Sequence, residues 1–144
     1  MPRRRSALET ATAALARADR SAAGLAAYLE RRGATADAAA RAVEQLAEAG
    51  YVDDGRYAER RAEVLAGRGH GDAAIRFDLK KNGIDADAIE EALAGLAPER
   101  DRAAALLGGA PTALAGARRL AQKGFSADAI ESALAALPER EAPG

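Results

Sequence analysis

Three segments of the chain share one register, centred on a glycine. Arg31-Arg32-Gly33-Ala34-Thr35-Ala36-Asp37, Lys81-Asn82-Gly83-Ile84-Asp85-Ala86-Asp87 and Gln122-Lys123-Gly124-Phe125-Ser126-Ala127-Asp128 align position by position, with the glycines 50 and 41 residues apart. Leu29, Leu79 or Leu120 stands four residues before each glycine. Val43, Leu93 or Leu134 stands ten after it, and Leu46, Leu96 or Leu137 thirteen after it. Such a repeat constrains the fold before any single residue does. A glycine can end a helix in the left-handed C′ conformation. Thr35, Asp85 or Ser126, two residues on, can cap the next helix at once. Ile89, Leu93, Leu96 and Ile130, Leu134, Leu137 follow i, i+4, i+7, the spacing of one helix face.

A further helix is expected ahead of each glycine-centred pair. Ser6 and Glu9 form a capping-box pattern before 8–18. Asp53 or Asp54 can cap a helix through Tyr57 to Leu65, with Val52 and Tyr57 as a hydrophobic staple. Pro98 suits a first helical position. Breaks at 19–21, 67–71 and 108–111 separate first from middle helices. The expectation is an all-α chain of nine helices in a tandem array of three three-helix repeats, elongated or curved. The repeats span 7–50, 53–97 and 98–138, with a basic disordered arm at 1–6 and a tail at 139–144. One such repeat buries little surface alone, so a continuous core shared along the array is expected.

Composition agrees with the helical reading. Alanine, the best helix former, supplies 42 of 144 residues, and aromatic residues only 3%. No cysteine is present, which excludes disulfides, thiolate metal sites and thiol nucleophiles. The single histidine, His70, lies between Gly69 and Gly71 and reads as an exposed connector residue. No convincing nucleophile, acid–base pair or ligand cluster is visible, so no catalytic residue, metal or cofactor is expected. The adjacent acids Asp53 and Asp54 read as caps. No run reaches the roughly 18–20 apolar residues of a membrane span. A cytoplasmic location without membrane contact is expected.

Charge is close to balanced, at -1 overall, but unevenly placed. Residues 56–81 hold seven basic and four acidic side chains, whereas 84–101 hold six acids and one base. Helix-dipole compensation explains part of this, since each middle helix ends in cations and each third helix opens with an acid. The concentration of Arg60, Arg61, Arg68, Arg76, Lys80 and Lys81 exceeds that need. With Arg119 and Lys123 it reads as a basic stripe that meets DNA phosphates or an acidic protein surface. Tyr51, Asp53, Asp54, Tyr57, Gly33, Gly83 and Gly124 are read as junction residues, with both tyrosines wedged between repeats. Phe77 and Phe125 are assigned to the core or to the junctions.

Ala18-Asp19-Arg20-Ser21, then Leu25 and Leu29, then Gly50-Tyr51-Val52-Asp53-Asp54 with Tyr57-Ala58, resemble the bacterial RecX regulatory proteins. Gly71 to Ile75, Leu79-Lys80, Gly83-Ile84, Ile89 and Arg118 to Ser126 continue the resemblance, which runs from about Ala7 to Leu137. Two features depart from the family pattern: Gly24, where an acidic residue is usual, and a shortened third repeat around 108–111. The resemblance implies a non-catalytic protein that binds the RecA recombinase filament in its groove; a monomer is expected. It implies inhibition of ATP hydrolysis, strand exchange and SOS coprotease activity, with single-stranded or duplex DNA as a further ligand. Two other readings stand beside it. One is a helix-turn-helix-like DNA binder, disfavoured by the acidic third helices. The other is a helical scaffold for a different protein.

Overall fold

The computed structural model describes residues 5–138. Most of the expected basic arm and the expected tail lie outside the described residues. Among the described residues the chain forms nine helices and no strand. They are α1 (Ala7–Arg17), α2 (Ala22–Arg31), α3 (Ala36–Glu48), α4 (Asp54–Gly67), α5 (Asp72–Lys81), α6 (Ala86–Ala94), α7 (Glu99–Gly108), α8 (Ala113–Gln122) and α9 (Ala127–Ala135). Helix packing is concentrated within the triplets α1–α3, α4–α6 and α7–α9.

The helix starts follow from local chemistry. Ser6, Ser21, Thr35, Asp53, Asp85, Thr112 and Ser126 each accept, through a side-chain oxygen, the backbone N–H three residues on. Gly33, Gly83 and Gly124 take φ of +98°, +79° and +93° at the ends of the middle helices. There the N–H of the following residue bonds back to the carbonyl of Leu29, Leu79 or Leu120. Two starts lack a side-chain cap of their own, at Gly71 and Pro98. Pro98 therefore sits one residue earlier than expected, as the N-cap rather than inside α7.

The core is not continuous. It divides into three clusters: Leu25, Leu29, Val43 and Leu46 with small neighbours; Ile75, Leu79, Ile84, Ile89 and Leu93; and Leu107, Leu120 and Phe125 with Ala103 and Ala133. Alanine explains this. Buried Ala11, Ala14, Ala58, Ala62 and Ala103 let helices approach within a triplet, but offer little bulk to bridge one triplet to the next. Val52 joins the first cluster and Tyr57 lies against the second, in place of the expected staple between them.

Polar contacts join the triplets instead, and both junctions are built alike. The start of a middle helix meets the glycine turn of the next triplet. The carboxylate that opens that next triplet caps the same helix start. At the first junction the buried Ser21 hydroxyl donates to the Asn82 carbonyl at 2.7 Å, and Asp54 accepts from the Ala22 N–H at 2.8 Å. At the second, the Gly71 N–H donates to the Lys123 carbonyl at 2.8 Å and the Ala73 N–H to the Gly124 carbonyl at 3.2 Å. Glu99 accepts from the Asp72 N–H at 2.6 Å. A Cβ at position 71 would lie 2.5 Å from the Gly124 carbonyl oxygen, so the serine cap of the first junction has no room here. No hydrogen bond among the described residues links the first triplet to the third.

Candidate binding interface

The sequence supplies eight candidate cations, and the structure sorts them. Arg61 makes two bonds of 3.0 Å to the Asp78 carboxylate, between α4 and α5. That pairing raises the Arg61 pKa and lowers that of Asp78. Arg76 makes bonds of 2.8 and 3.2 Å to Glu90 on α6. Arg61 is thus tied within the second triplet, while the Arg76–Glu90 pair lies at its surface with both side chains exposed. Arg60 leans on Asp19 at 3.8 Å, a contact bridging the first two triplets at the surface. Arg68, Lys80, Lys81, Arg119 and Lys123 form no ion pair among the described residues.

Three of those five converge. Arg68 caps the C-terminus of α4, Arg119 lies in the last turn of α8, and Lys123 follows it as the C-cap. Together with Arg118 they line an open cleft of about 840 Å³. Its floor is apolar and small, from Leu106, Ala110 and Gly116. No carboxylate lines it. Gly116 marks a close approach of α8 to α7 beside the cleft. A Cβ there would lie 2.6 Å from Leu107 and 2.8 Å from Ala110, so only glycine lets α8 lie this close to α7. The half-buried His70 registers the local potential. Burial, then the fields of Lys123 and Arg68, hold its pKa below the ordinary value. Lys80 and Lys81 are exposed at the end of α5 and do not line this cleft.

The junction candidates separate in the same way. Gly83 and Gly124 press against Ala23 and Ala74 of the preceding triplet. Gly33 makes the same turn, but nothing lies within 4 Å of where its Cβ would be. Asp53 caps its own helix, while Asp54 reaches α2. Tyr57 is half-buried. Tyr51, expected as a wedge, is 65% exposed and follows Gly50, which takes φ +84°. Of the two phenylalanines, Phe125 is buried in the third cluster. Phe77, expected inside, is 73% exposed, because Ile75 and Leu79 take the buried face of α5 and leave position 77 opposite. His70, expected exposed, is half-buried beside the second junction, where its carbonyl accepts from Arg102 at 3.3 Å.

Sequence reasoning did not single out Arg118, although it stands beside Arg119. It also passed over Glu99 and Arg102. These are joined at the second junction through Asp72, which accepts from Arg102 at 2.9 Å. The recurrence of an acid one residue inside the first helix, Asp54 and Glu99, was the available signal.

The central triplet, residues 53–93, matches the family model for the second three-helix domain of RecX. A regulatory protein RecX of Stenotrophomonas maltophilia is 36% identical over 92 residues, covering 64% of this chain and 56% of that protein. One from Lactobacillus delbrueckii is 43% identical over 74 residues, covering 50% of this chain and 27% of that protein. The chain resembles the RecX regulatory proteins. The crystal structure of RecX from Lactobacillus salivarius superposes with a TM-score of 0.77 over 90% of this chain and 92% of that one, at 20% identity. A second RecX crystal structure gives 0.76 at 21% identity. These two likenesses establish a shared repeated three-helix fold. The sequence matches reach only about half, or less, of the length of those first two RecX relatives. No helix among the described residues is long and apolar enough to cross a membrane. Among them, no group of three or more potential metal ligands occurs.

Proposed function

We propose that this chain is a RecX-type regulator that binds the RecA recombinase filament and restrains its ATP hydrolysis, strand exchange and SOS coprotease activity. The observation that carries the reading is the cleft between the second and third triplets. Arg68, Arg118, Arg119 and Lys123 meet there without any lining carboxylate, in a chain whose net charge is -1. A locally cationic cleft on a near-neutral protein suits a mixed surface of acidic protein and phosphate backbone. Lys80 and Lys81 extend the free positive charge on the second triplet. Arg61 has no part in contact, because the half-buried Asp78 holds it, whereas Arg76 would first exchange its surface pair with Glu90. The protein acts by occupying the filament, with no chemistry of its own, in the cytoplasm and as a monomer.

The test is RecA ATPase on single-stranded DNA, titrated with the chain and with an Arg118→Glu, Arg119→Glu variant. Both side chains are exposed and form no ion pair among the described residues, so the variant is expected to keep its fold. Two reversed charges in one cleft are expected to raise the half-inhibitory concentration about tenfold or more. Wild-type inhibition well below the RecA concentration points to blocked filament ends, and inhibition near equivalence to binding along the groove. No inhibition by the wild type, with RecA of the same organism, refutes the reading.

A further inference from the structure

The first triplet holds a second concentration of positive charge, built around Tyr28 of α2. The Arg17 Nη2 donates to the Tyr28 hydroxyl at 2.8 Å. The guanidinium carbons of Arg20, Arg32 and Arg31 lie 4.4, 5.0 and 6.0 Å from the ring centre. Arg5, Arg17 and Arg32 line a hollow of about 690 Å³ beside the ring, between α1 and the end of α2. No carboxylate lines it. None of these five arginines forms an ion pair among the described residues. The Nε of Arg20 is buried with no hydrogen-bond partner.

Like charges gathered this closely repel, and contact with a ring face offsets only part of that cost. Neither the α2 dipole nor the packing of the triplet needs so many. Arg31 and Arg32 already lie at the C-terminus of α2, and Arg17 and Arg20 reach the ring from α1 and the connector. Burial alone would raise the Tyr28 phenol's pKa. The hydrogen bond from Arg17 and the fields of Arg32, Arg17 and Arg20 outweigh it and hold the phenol below its ordinary value. An anion in the hollow would meet the guanidinium groups of Arg5 ahead of α1, Arg17 at the end of α1 and Arg32 at the end of α2. A planar carboxylate offers two oxygens in one plane, whereas a phosphate presents oxygens in several directions. Guanidinium forks match phosphate with paired bonds.

We propose that the hollow of Arg5, Arg17 and Arg32 beside Tyr28 is a phosphate-binding site. It takes the backbone of single-stranded nucleic acid or a free polyphosphate. The site is independent of the RecA reading, since neither a filament nor the cleft at α8 takes part.

The experiment uses the full chain and two probes, a fluorescein-labelled twelve-nucleotide oligo-dT and inorganic tripolyphosphate. Ring resonances of Tyr28 report the hollow by NMR, with Tyr57 as the internal control. Both probes are expected to shift Tyr28 and leave Tyr57 in place, and tripolyphosphate is expected to displace the oligonucleotide. A Tyr28 shift from tripolyphosphate without one from the oligonucleotide assigns the site to free polyphosphate. The reverse assigns it to nucleic acid. An Arg17→Gln, Arg32→Gln variant removes two contacts of about 0.7 unit of salt slope each on single strands. Its loss of oligonucleotide affinity between 50 and 200 mM salt is expected to be about sevenfold smaller than that of the wild type. A Tyr28 signal unmoved by either probe overturns the proposal. So does poly-glutamate shifting Tyr28 as strongly as the phosphates. Should the variant fail to fold, the wild-type NMR result alone decides.

Discussion

Replacing Glu99 with alanine tests how one triplet is fastened to the next. The Glu99 carboxylate accepts from the Asp72 N–H at 2.6 Å, and from the Ser126 hydroxyl and N–H at 2.7 and 3.2 Å. It thereby joins three helix starts: its own at α7, that of α9 and that of α5. Helix α5 has only Gly71 as its N-cap, so Glu99 supplies the side-chain cap that the helix lacks. Losing a side-chain cap costs about 1 kcal/mol, and the bonds to Ser126 add about as much. The expected loss is therefore about 2 kcal/mol. At about 3–4 °C per kcal/mol for a chain of this length, Tm falls by about 6–8 °C. Thermal unfolding followed by helix circular dichroism measures it. Asp54→Ala is the comparison at the first junction. Ser21 still caps α2 there, so a fall only about half as large is expected.

The same carboxylate gives this prediction a pH signature. Burial alone would raise the Glu99 pKa. The bonds from Ser126 and the Asp72 N–H, with the charge of Arg102, outweigh it and hold the group below 4.5. A carboxyl group with a depressed folded pKa stabilises fully above its unfolded value and loses that stabilisation as pH falls through its folded value. The difference in Tm between wild type and Glu99→Ala should stay constant at neutral pH. It should shrink once the pH drops below about 4.5. A variant melting within 1 °C of wild type at pH 7, or a difference that does not respond to acid, refutes the argument.

Two further substitutions probe other contacts. Gly124→Ala forces a Cβ to within 2.8 Å of the Ala74 Cβ and N at φ +93°, whereas Gly33→Ala at φ +98° meets nothing within 4 Å. Urea midpoints should show a loss of about 1 kcal/mol at position 33, from the left-handed backbone alone, and at least twice that at 124. Equal losses would mean that the glycine turn does not set the junction. Arg61→Ala leaves the half-buried Asp78 carboxylate without its bidentate partner. It should cost about 1 kcal/mol and raise the Asp78 pKa toward its ordinary value, read by NMR titration. An unmoved Asp78 titration would show that the pair is not formed in solution.

The candidate interface was only partly legible in the sequence. Arg68, Arg119 and Lys123 stand out by charge, yet so do Arg61 and Arg76, which pair with Asp78 and Glu90 of their own triplet. The Arg76–Glu90 pair joins residues fourteen apart on different helices, and no local spacing rule reaches it. Tyr28 shows the same boundary. Its spacing to Arg31 and Arg32 is i+3 and i+4, a local signal. Arg17 and Arg20 join it only because α1 and its connector fold back beside α2. Phe77 was misplaced because a scarce aromatic invites burial, while the actual rule is positional. Ile75 and Leu79 already occupy the inward face of α5.

The sequence by itself determined the helix starts capped by Ser6, Thr35, Asp53, Asp85 and Ser126 and the glycine turns at 33, 83 and 124, while Ser21 and Thr112 read only as part of a break or next to one. It also determined the apolar stripes that close the triplets, except that Leu134, expected on the inward face of α9, is exposed because Ala129 and Ala133 take that face. These depend on residues three to seven positions apart, within reach of one helical turn or two. Only the tertiary structure decided how one triplet meets the next and which cations remain free. Those outcomes rest on contacts between residues fourteen to sixty-one positions apart, such as Arg76 with Glu90 and Ser21 with Asn82. Short polar bonds and van der Waals clearances decide them, and both change over a fraction of an ångström that no linear spacing encodes.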